Sequence, residues 1–486
     1  MNAFESLLAG LKKGRDWELM GDSDNVRELL SRVYDERCHR GKHHKDAYQV
    51  RVNLQKADEA ASYAGWITAD NEKSGPYQGT SFVWFPGLKG SVAVLVIGTE
   101  GFGNDSGILG RPGHARRLRA LSRLHNGRLW VKPDLLDIST EIPPATSSHW
   151  PDITSALKAY SRVIYAGTAV RTEDDGEAVA DLLDLFFHEH QTPLTERFKS
   201  RWADRMTAIA GAVFPAIDED DTLATLRERR FVILDGPPGT GKTRLANRLA
   251  ERVGSATKVQ FHAARTYEDF VLGLFPRPTE QGLAFEVRAG DLIAANKKAQ
   301  TRDHVLVIDE INRADLARVL GEAISLFEVG EPDRSVRLPH PIDGDQHELR
   351  LSPTLMVLGT RNTADRTIAR LDIAIRRRFA FIEVWPDLRA VAAEGVDFAS
   401  EVFADVVHTF TEYADDDALR LVPGHAYVLD PRPELGTEGR LPRVARRVRY
   451  ELVPLLRHYL DEKLCGAASE QIAGLADRIE ARLMAL

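Results

Sequence analysis

The run FVILDGPPGTGKTRLANRLAERVG fills residues 231–254. Its first four residues are all apolar, which suits a strand buried on both faces rather than one with a wet side. The turn that follows, Gly236-Pro237-Pro238-Gly239-Thr240-Gly241-Lys242-Thr243, fits G-x-x-x-x-G-K-[ST] and lies between that strand and a helix, the context the motif requires. Glycines let successive backbone N–H groups turn toward one point, and the helix start adds its positive end. Together they form a cradle for phosphate oxygens. Lys242 is expected to reach the β- and γ-phosphates of a nucleoside triphosphate, and the Thr243 hydroxyl to ligate Mg²⁺.

Such a site needs a second half that holds the metal and activates water. HVLVIDE (304–310) supplies it: an apolar strand ending in Asp309 and Glu310 at its C-terminal tip, where parallel sheets bind ligands. Asp309 is expected to hold Mg²⁺ through water, and Glu310 to orient or deprotonate the attacking water. LMVLGT (355–360) is another strand, and Asn362 just beyond it is the polar candidate for the γ-phosphate. Arg376-Arg377-Arg378 follow on a short helix before the strand FAFIEV (379–384). Three adjacent arginines point in different directions, so only one or two can meet a given phosphate. An arginine entering a neighbouring subunit's site would stabilise transition-state charge there. With KVQFH (258–262), these strands alternate with helical stretches, the pattern of a parallel sheet flanked by helices. The interruption SVRLPHPIDGDQHELRLS (335–352), centred on Asp343-Gly344, predicts a protruding β-hairpin.

Taken together, these residues resemble the AAA+ superfamily, and within its MoxR/McrB-like branch the McrB-type NTPases of modified-DNA restriction systems. Gln260-Phe261-His262, Tyr267-Glu268-Asp269-Phe270 and Gly273 are similar to the family's stretch after the second strand. Ile308-Asp309-Glu310-Ile311-Asn312-Arg313 matches its metal strand. Asn362-Thr363-Ala364-Asp365-Arg366-Thr367 resembles the signature after its fourth strand, and Ala374-Ile375-Arg376-Arg377-Arg378-Phe379 its arginine helix. Gly424-His425-Ala426-Tyr427, Arg449-Tyr450-Glu451 and Pro454-Leu455-Leu456 look like its helical lid. The likeness covers residues 231 to 460 or so.

The resemblance implies an AAA+ P-loop module with a β-hairpin insert and a C-terminal helical lid. It implies Asn362 as the sensor that positions water, with Asp365 and Arg366 close to it, and Arg377 or Arg378 as the finger acting in trans. It further implies Mg²⁺ and ATP, with GTP as the alternative because the family's namesake prefers it. The assembly would be a ring, often a hexamer, closed by rotation of a head-to-tail interface. A McrC-like activator or nuclease subunit would be its partner. Two departures stand out: Arg361 replaces the family's usual methionine before the sensor, and Ala263-Ala264-Arg265 breaks the usual segment before Tyr267.

Outward from this core, the 486 residues leave room for two to four domains. We expect an N-terminal α+β recognition domain over 1–190, a helical linker over 191–222, the α/β core over 223–390 and the lid over 391–486. The acidic stretch 218–221 is the boundary signal. Strands are expected over 79–88 and 91–98, joined at Lys89-Gly90, and a helix over 114–127. The net charge of −8 excludes a uniformly basic nucleic-acid coat, and two cysteines exclude a disulfide framework. No stretch is apolar for long enough to span a membrane, so the expected location is the cytoplasm. DNA is a candidate ligand for the N-terminal half. Six arginines between Arg111 and Arg128 would meet phosphates, and Trp17, Trp66, Trp84, Trp130 and Trp150 would stack on bases, although core packing and a solvated helix face are the commoner uses of both. The competing client is a protein, as for MoxR-type relatives that remodel proteins or assist metal insertion.

Overall fold

Apolar and β-branched runs dictate where this chain builds sheet. The computed structural model describes residues 2–17, 23–39, 48–54, 61–68, 78–171, 173, 176–189, 194–280, 282–331, 333–342, 344–364 and 373–486. By contact they form two units: Met1–Val213 with His408–Asp415 and Gly466–Gln471, and Phe214–Val407 with Asp416–Cys465 and Ile472–Leu486.

In the first unit, β1 (Tyr48–Asn53), β2 (Tyr63–Thr68), β3 (Thr80–Pro86), β4 (Ser91–Ile97), β5 (Leu129–Val131) and β6 (Ile164–Val170) form an antiparallel sheet in the order β1-β2-β3-β4-β6-β5. The expected β3–β4 hairpin is present. Pro86 pairs with Ser91, and Gly90 at φ +96° makes the turn. Both strands are buried along their whole length because alternate side chains enter opposite cores. Phe82, Trp84, Ala93 and Leu95 face one core. Val83, Phe85, Val92 and Val94 face the other, with Trp150 and Ile153.

The arginine-rich segment is indeed a helix, Pro112–Leu124. Its most central arginines turn inward. Arg117 Nη2 lies 2.5 Å from Glu189 Oε1, and Arg116 donates to the Thr411 and Ala414 carbonyls at 2.8 Å. Arg111 pairs with Glu412 at 2.7 Å. These guanidiniums are therefore structural, and the helix does not present six arginines to solvent. Trp17, Trp66, Trp84 and Trp150 are core residues.

In the second unit, β7 (Phe231–Gly236), β8 (Ala256–Gln260), β11 (His304–Asp309), β14 (Leu355–Asn362) and β15 (Ala380–Glu383) form a wholly parallel sheet in the order β15-β7-β14-β11-β8. Alternation again fills two cores. Phe231, Ile233, Leu306, Ile308, Leu355 and Val357 pack on one face with the helix Asp291–Ala299. Val232, Leu234, Val305, Val307, Met356 and Leu358 pack on the other with the helices Glu219–Arg229 and Lys242–Val253. Each fully buried side chain of this kind contributes about 1.5–3 kcal/mol.

The acidic stretch caps one of those helices. The Asp218 carboxylate accepts from the Asp220 and Asp221 amides at 2.9 and 3.1 Å. Two hairpins leave the sheet. The one expected over 335–352 is short, with β12 (Val336–Arg337) on β13 (Glu348–Leu349). A longer one, β9 (Leu272–Thr279) on β10 (Gly282–Ala289), was not signalled by the sequence. Past β15 the chain is mainly helical, from Leu388–Ala392 to Ser469–Met484. No helix of the described residues is long and apolar enough to cross a membrane.

Candidate active site

The sheet order decides the site. β14 lies between β7 and β11, in register so that Asn362 faces Gly236 and Ile308 faces Gly359. The C-terminal tips of three neighbouring strands therefore carry the phosphate loop, the sensor asparagine and the two acids, each delivered by a rigid buried strand.

At the first tip, Gly239 and Gly241 adopt φ of +76° and +80°, a region that penalises any Cβ. Lys242 begins the helix Lys242–Val253, and its Nζ donates to the Gly236 and Pro237 carbonyls at 2.9 and 2.6 Å. Burial lowers this lysine to about 8, against the opposing pull of Glu310, Asp235 and Asp309. Thr243 Oγ1 donates to Asp309 Oδ1 at 2.9 Å. A hydroxyl and a carboxylate that converge across two strands in this way are the oxygen set a small divalent ion takes, so the residues fit Mg²⁺.

Glu310 follows β11 with φ +54°, a conformation rare for a side chain of its size. The turn carries it off the strand line. Its N–H donates to Thr360 Oγ1 at 3.1 Å, and its carboxylate lies 3.4 Å from Arg313 Nε. Thr360 Oγ1 in turn donates to Asp309 Oδ1 at 2.5 Å. One hydroxyl on β14 thus orients the Asp309 carboxylate and anchors the backbone of Glu310, a role the sequence reading missed. The available signal was that Thr360 is a polar residue at the end of a central apolar strand.

Asn362 ends β14, and its Oδ1 accepts from the Ala364 N–H at 3.1 Å. The residue before it, Arg361, forms a bidentate pair with Asp235 at 2.7 and 2.5 Å, both side chains nearly buried. This pair straps the sensor strand to the strand that feeds the phosphate loop. Asp365 and Arg366 lie outside the described residues. The arginine helix separates its members by exposure. The Arg378 side chain is 8% exposed with Nε 3.5 Å from Glu328, whereas Arg377 is 65% exposed and only reaches the same carboxylate at 3.9 Å. The phosphate loop, Thr243, Asp309, Glu310 and Asn362 are thus brought together, and Arg377 stands out to solvent on a separate short helix.

Comparison with known proteins agrees with this geometry. Residues 231–379 match the AAA domain of the dynein-related subfamily. The chain is 30% identical over 268 residues to the type IV methyl-directed restriction enzyme EcoKMcrB subunit of Escherichia coli K12, covering 51% of this chain and 57% of that one. Residues 231–379 thus match an AAA domain, and over about half its length the chain is similar to McrB. A second restriction-system protein, the BsuMI component YdiS of Bacillus subtilis 168, is 27% identical over 192 residues, 31% of this chain and 55% of its own. A mitochondrial Lon protease homolog of Debaryomyces hansenii is 29% identical over 113 residues, 22% of this chain and 9% of its own. The chain thus spans little more than half the length of the restriction-system relatives. The AAA+ module carries a P-loop NTPase site and is related to McrB and to restriction-system components.

Proposed function

We propose that this protein hydrolyses ATP or GTP with Mg²⁺ and acts as the ring-forming motor subunit of a McrBC-like restriction or anti-phage system. The observation that carries the reading is the convergence of Lys242, Thr243, Asp309, Glu310 and Asn362 at three adjacent strand tips. In this reading the phosphate-loop amides and Lys242 hold the triphosphate. Thr243 and Asp309 would hold the metal, which would supply charge neutralisation to the triphosphate. Glu310 takes the proton of the attacking water, and Asn362 orients that water in line with the bond to be broken. Arg377 completes the site of a neighbouring subunit in a hexameric ring. DNA is recognised by the N-terminal half, and a McrC-like activator or nuclease subunit does the cutting.

The test is turnover of ATP and GTP side by side, with and without DNA. Hydrolysis of one nucleotide, raised by DNA or by a McrC-like partner, is the expected result. Hydrolysis indifferent to DNA, with no DNA binding at low salt, would shift the client to protein, as for MoxR-type remodellers. No hydrolysis of either nucleotide would remove the reading altogether.

A further inference from the structure

Most of the arginines and tryptophans singled out in the N-terminal half are taken into its interior. Arg128 and Trp130 are not, and both line one cavity of about 470 Å³ within the first unit. The cavity lies where β5 stops. That strand is three residues long, and its ladder to β6 ends at the Leu129–Thr168 pair, so Ala169 and Arg171 of the chain beyond open on the cavity. A volume of this size takes one small molecule, or one monomer of a polymer.

The walls set the shape of that occupant. Trp130 and Trp150 stand at 81° to each other with ring centroids 6.2 Å apart. Two indoles at a right angle suit a flat ring, which stacks on one and meets the other edge-on. Thr168 lines the same cavity and is 2% exposed, and its hydroxyl has no hydrogen-bond partner among the described residues. A hydroxyl left unpaired at that depth costs free energy, so the ring should carry a polar atom on its edge. The remaining lining sets the charge. Arg128 is exposed and forms no ion pair among the described residues. Arg171 donates to the His149 carbonyl, which holds its guanidinium in the wall. Ala178 and Val179, in the first turn of the helix Glu177–Glu189, bring that helix's positive end alongside. No Asp or Glu lines the cavity among the described residues. A flat ring with a polar edge, joined to an anion, is the chemistry of a nucleotide.

We infer that this cavity binds one nucleoside monophosphate unit, its base against Trp130 and Trp150 and its phosphate on Arg128 and Arg171. The unit comes either free in solution or as one member of a DNA strand, and in the second case the inference rests on the reading that the N-terminal half recognises DNA. Calorimetric titration of the full chain tests it, with the four deoxynucleoside monophosphates and a single-stranded DNA oligonucleotide as ligands. All samples carry Lys242→Ala, so that the phosphate loop does not compete. Trp130→Ala should weaken binding roughly 5- to 100-fold, the range one base stack supplies. Thr168→Val, close in size, should weaken it at least threefold. Arg128→Ala should cause a loss that shrinks as salt rises, whereas the Trp130→Ala loss should not. Losses confined to the monophosphates identify the free unit, and losses for the oligonucleotide identify the strand. A ligand bound equally by the parent, Trp130→Ala and Thr168→Val would overturn the inference, and if that ligand is the oligonucleotide the DNA reading survives alone. Monophosphates that bind through Trp130 beside an oligonucleotide that does not bind would keep the inference and remove the DNA reading. Binding of neither would remove both.

Discussion

Lys242 sets the first consequence at the residue scale. Its pKa is about 8, lowered chiefly by burial, so the ammonium is charged at neutral pH and neutral in strong base. A triphosphate favours the charged form. Below about pH 8 nothing need change on binding, and above it the site must take up a proton. Calorimetry in two buffers of different ionisation heat should find proton uptake near pH 9 and almost none near pH 7, with affinity falling by up to ~10-fold per pH unit above the lysine's value. Zero uptake at the higher pH would show that this lysine is not the group meeting the charge. Glu310 gives the complementary prediction. Its backbone and its Thr360 contact do not depend on the carboxylate charge, so Glu310→Gln should bind nucleotide as wild type does while turnover falls by roughly 10²–10⁴. Unchanged turnover would end its assignment as the base. Both residues were legible in the sequence, since each belongs to a short motif whose spacing is fixed by one strand tip. Thr360 and the Asp235–Arg361 pair were not read, because each acts across strands. Sequence distance hides that Arg361 stands opposite Asp235 until the order of strands is known.

At the scale of elements, the parallel sheet was readable because every central strand is apolar on both faces, and that pattern has few alternatives. Of the two hairpins that leave it, the one over 335–352 was readable and the longer one was not. Asp343-Gly344 drew attention to 335–352, where two residue pairs form a short ladder among the described residues, while β9 and β10 form eight pairs between Leu272 and Ala289. Pro276 and Pro278 argue against a strand in any interior position. They are tolerated here because most of the hairpin stands away from the core, with Leu283 and Phe285 each 65% exposed. The strap between β7 and β14 carries a stability prediction of its own. Removing one charge leaves the other nearly buried and unpaired, so Asp235→Asn or Arg361→Met alone should cost about 3–5 kcal/mol. The double variant leaves no orphan charge and should cost clearly less than the sum. Denaturant unfolding measures all three, and additive losses would show that the two side chains do not act as a unit. Rates in the double variant then report whether the strap also places Asn362, one residue beyond.

For the whole molecule the proposed ring makes the sharpest demand, because it assigns part of each site to a neighbour. Arg377 is the member of the arginine run suited to that task. It is exposed and held only at 3.9 Å from Glu328, whereas Arg378 is buried against the same carboxylate. Arg377→Ala subunits keep an intact phosphate loop and supply no finger, and Lys242→Ala subunits do the reverse. Each variant alone should lose turnover by roughly 10³-fold or more. Mixed in equal amounts, they create competent interfaces wherever an Arg377→Ala site meets a Lys242→Ala neighbour. For random mixing around a closed head-to-tail ring this is about a quarter of all interfaces, so turnover should return to about that fraction of wild type. The control is Arg378→Ala mixed with Lys242→Ala. Loss of the buried guanidinium should lower the unfolding midpoint of the Arg378→Ala subunit, and mixing cannot repair a defect inside one chain. The readings are hydrolysis rate and, on the same samples, native mass spectrometry to prove that the rings are mixed. Mixed rings that stay inactive would mean that Arg377 serves its own chain or none. Recovery with Arg378→Ala instead would move the finger one residue along the helix.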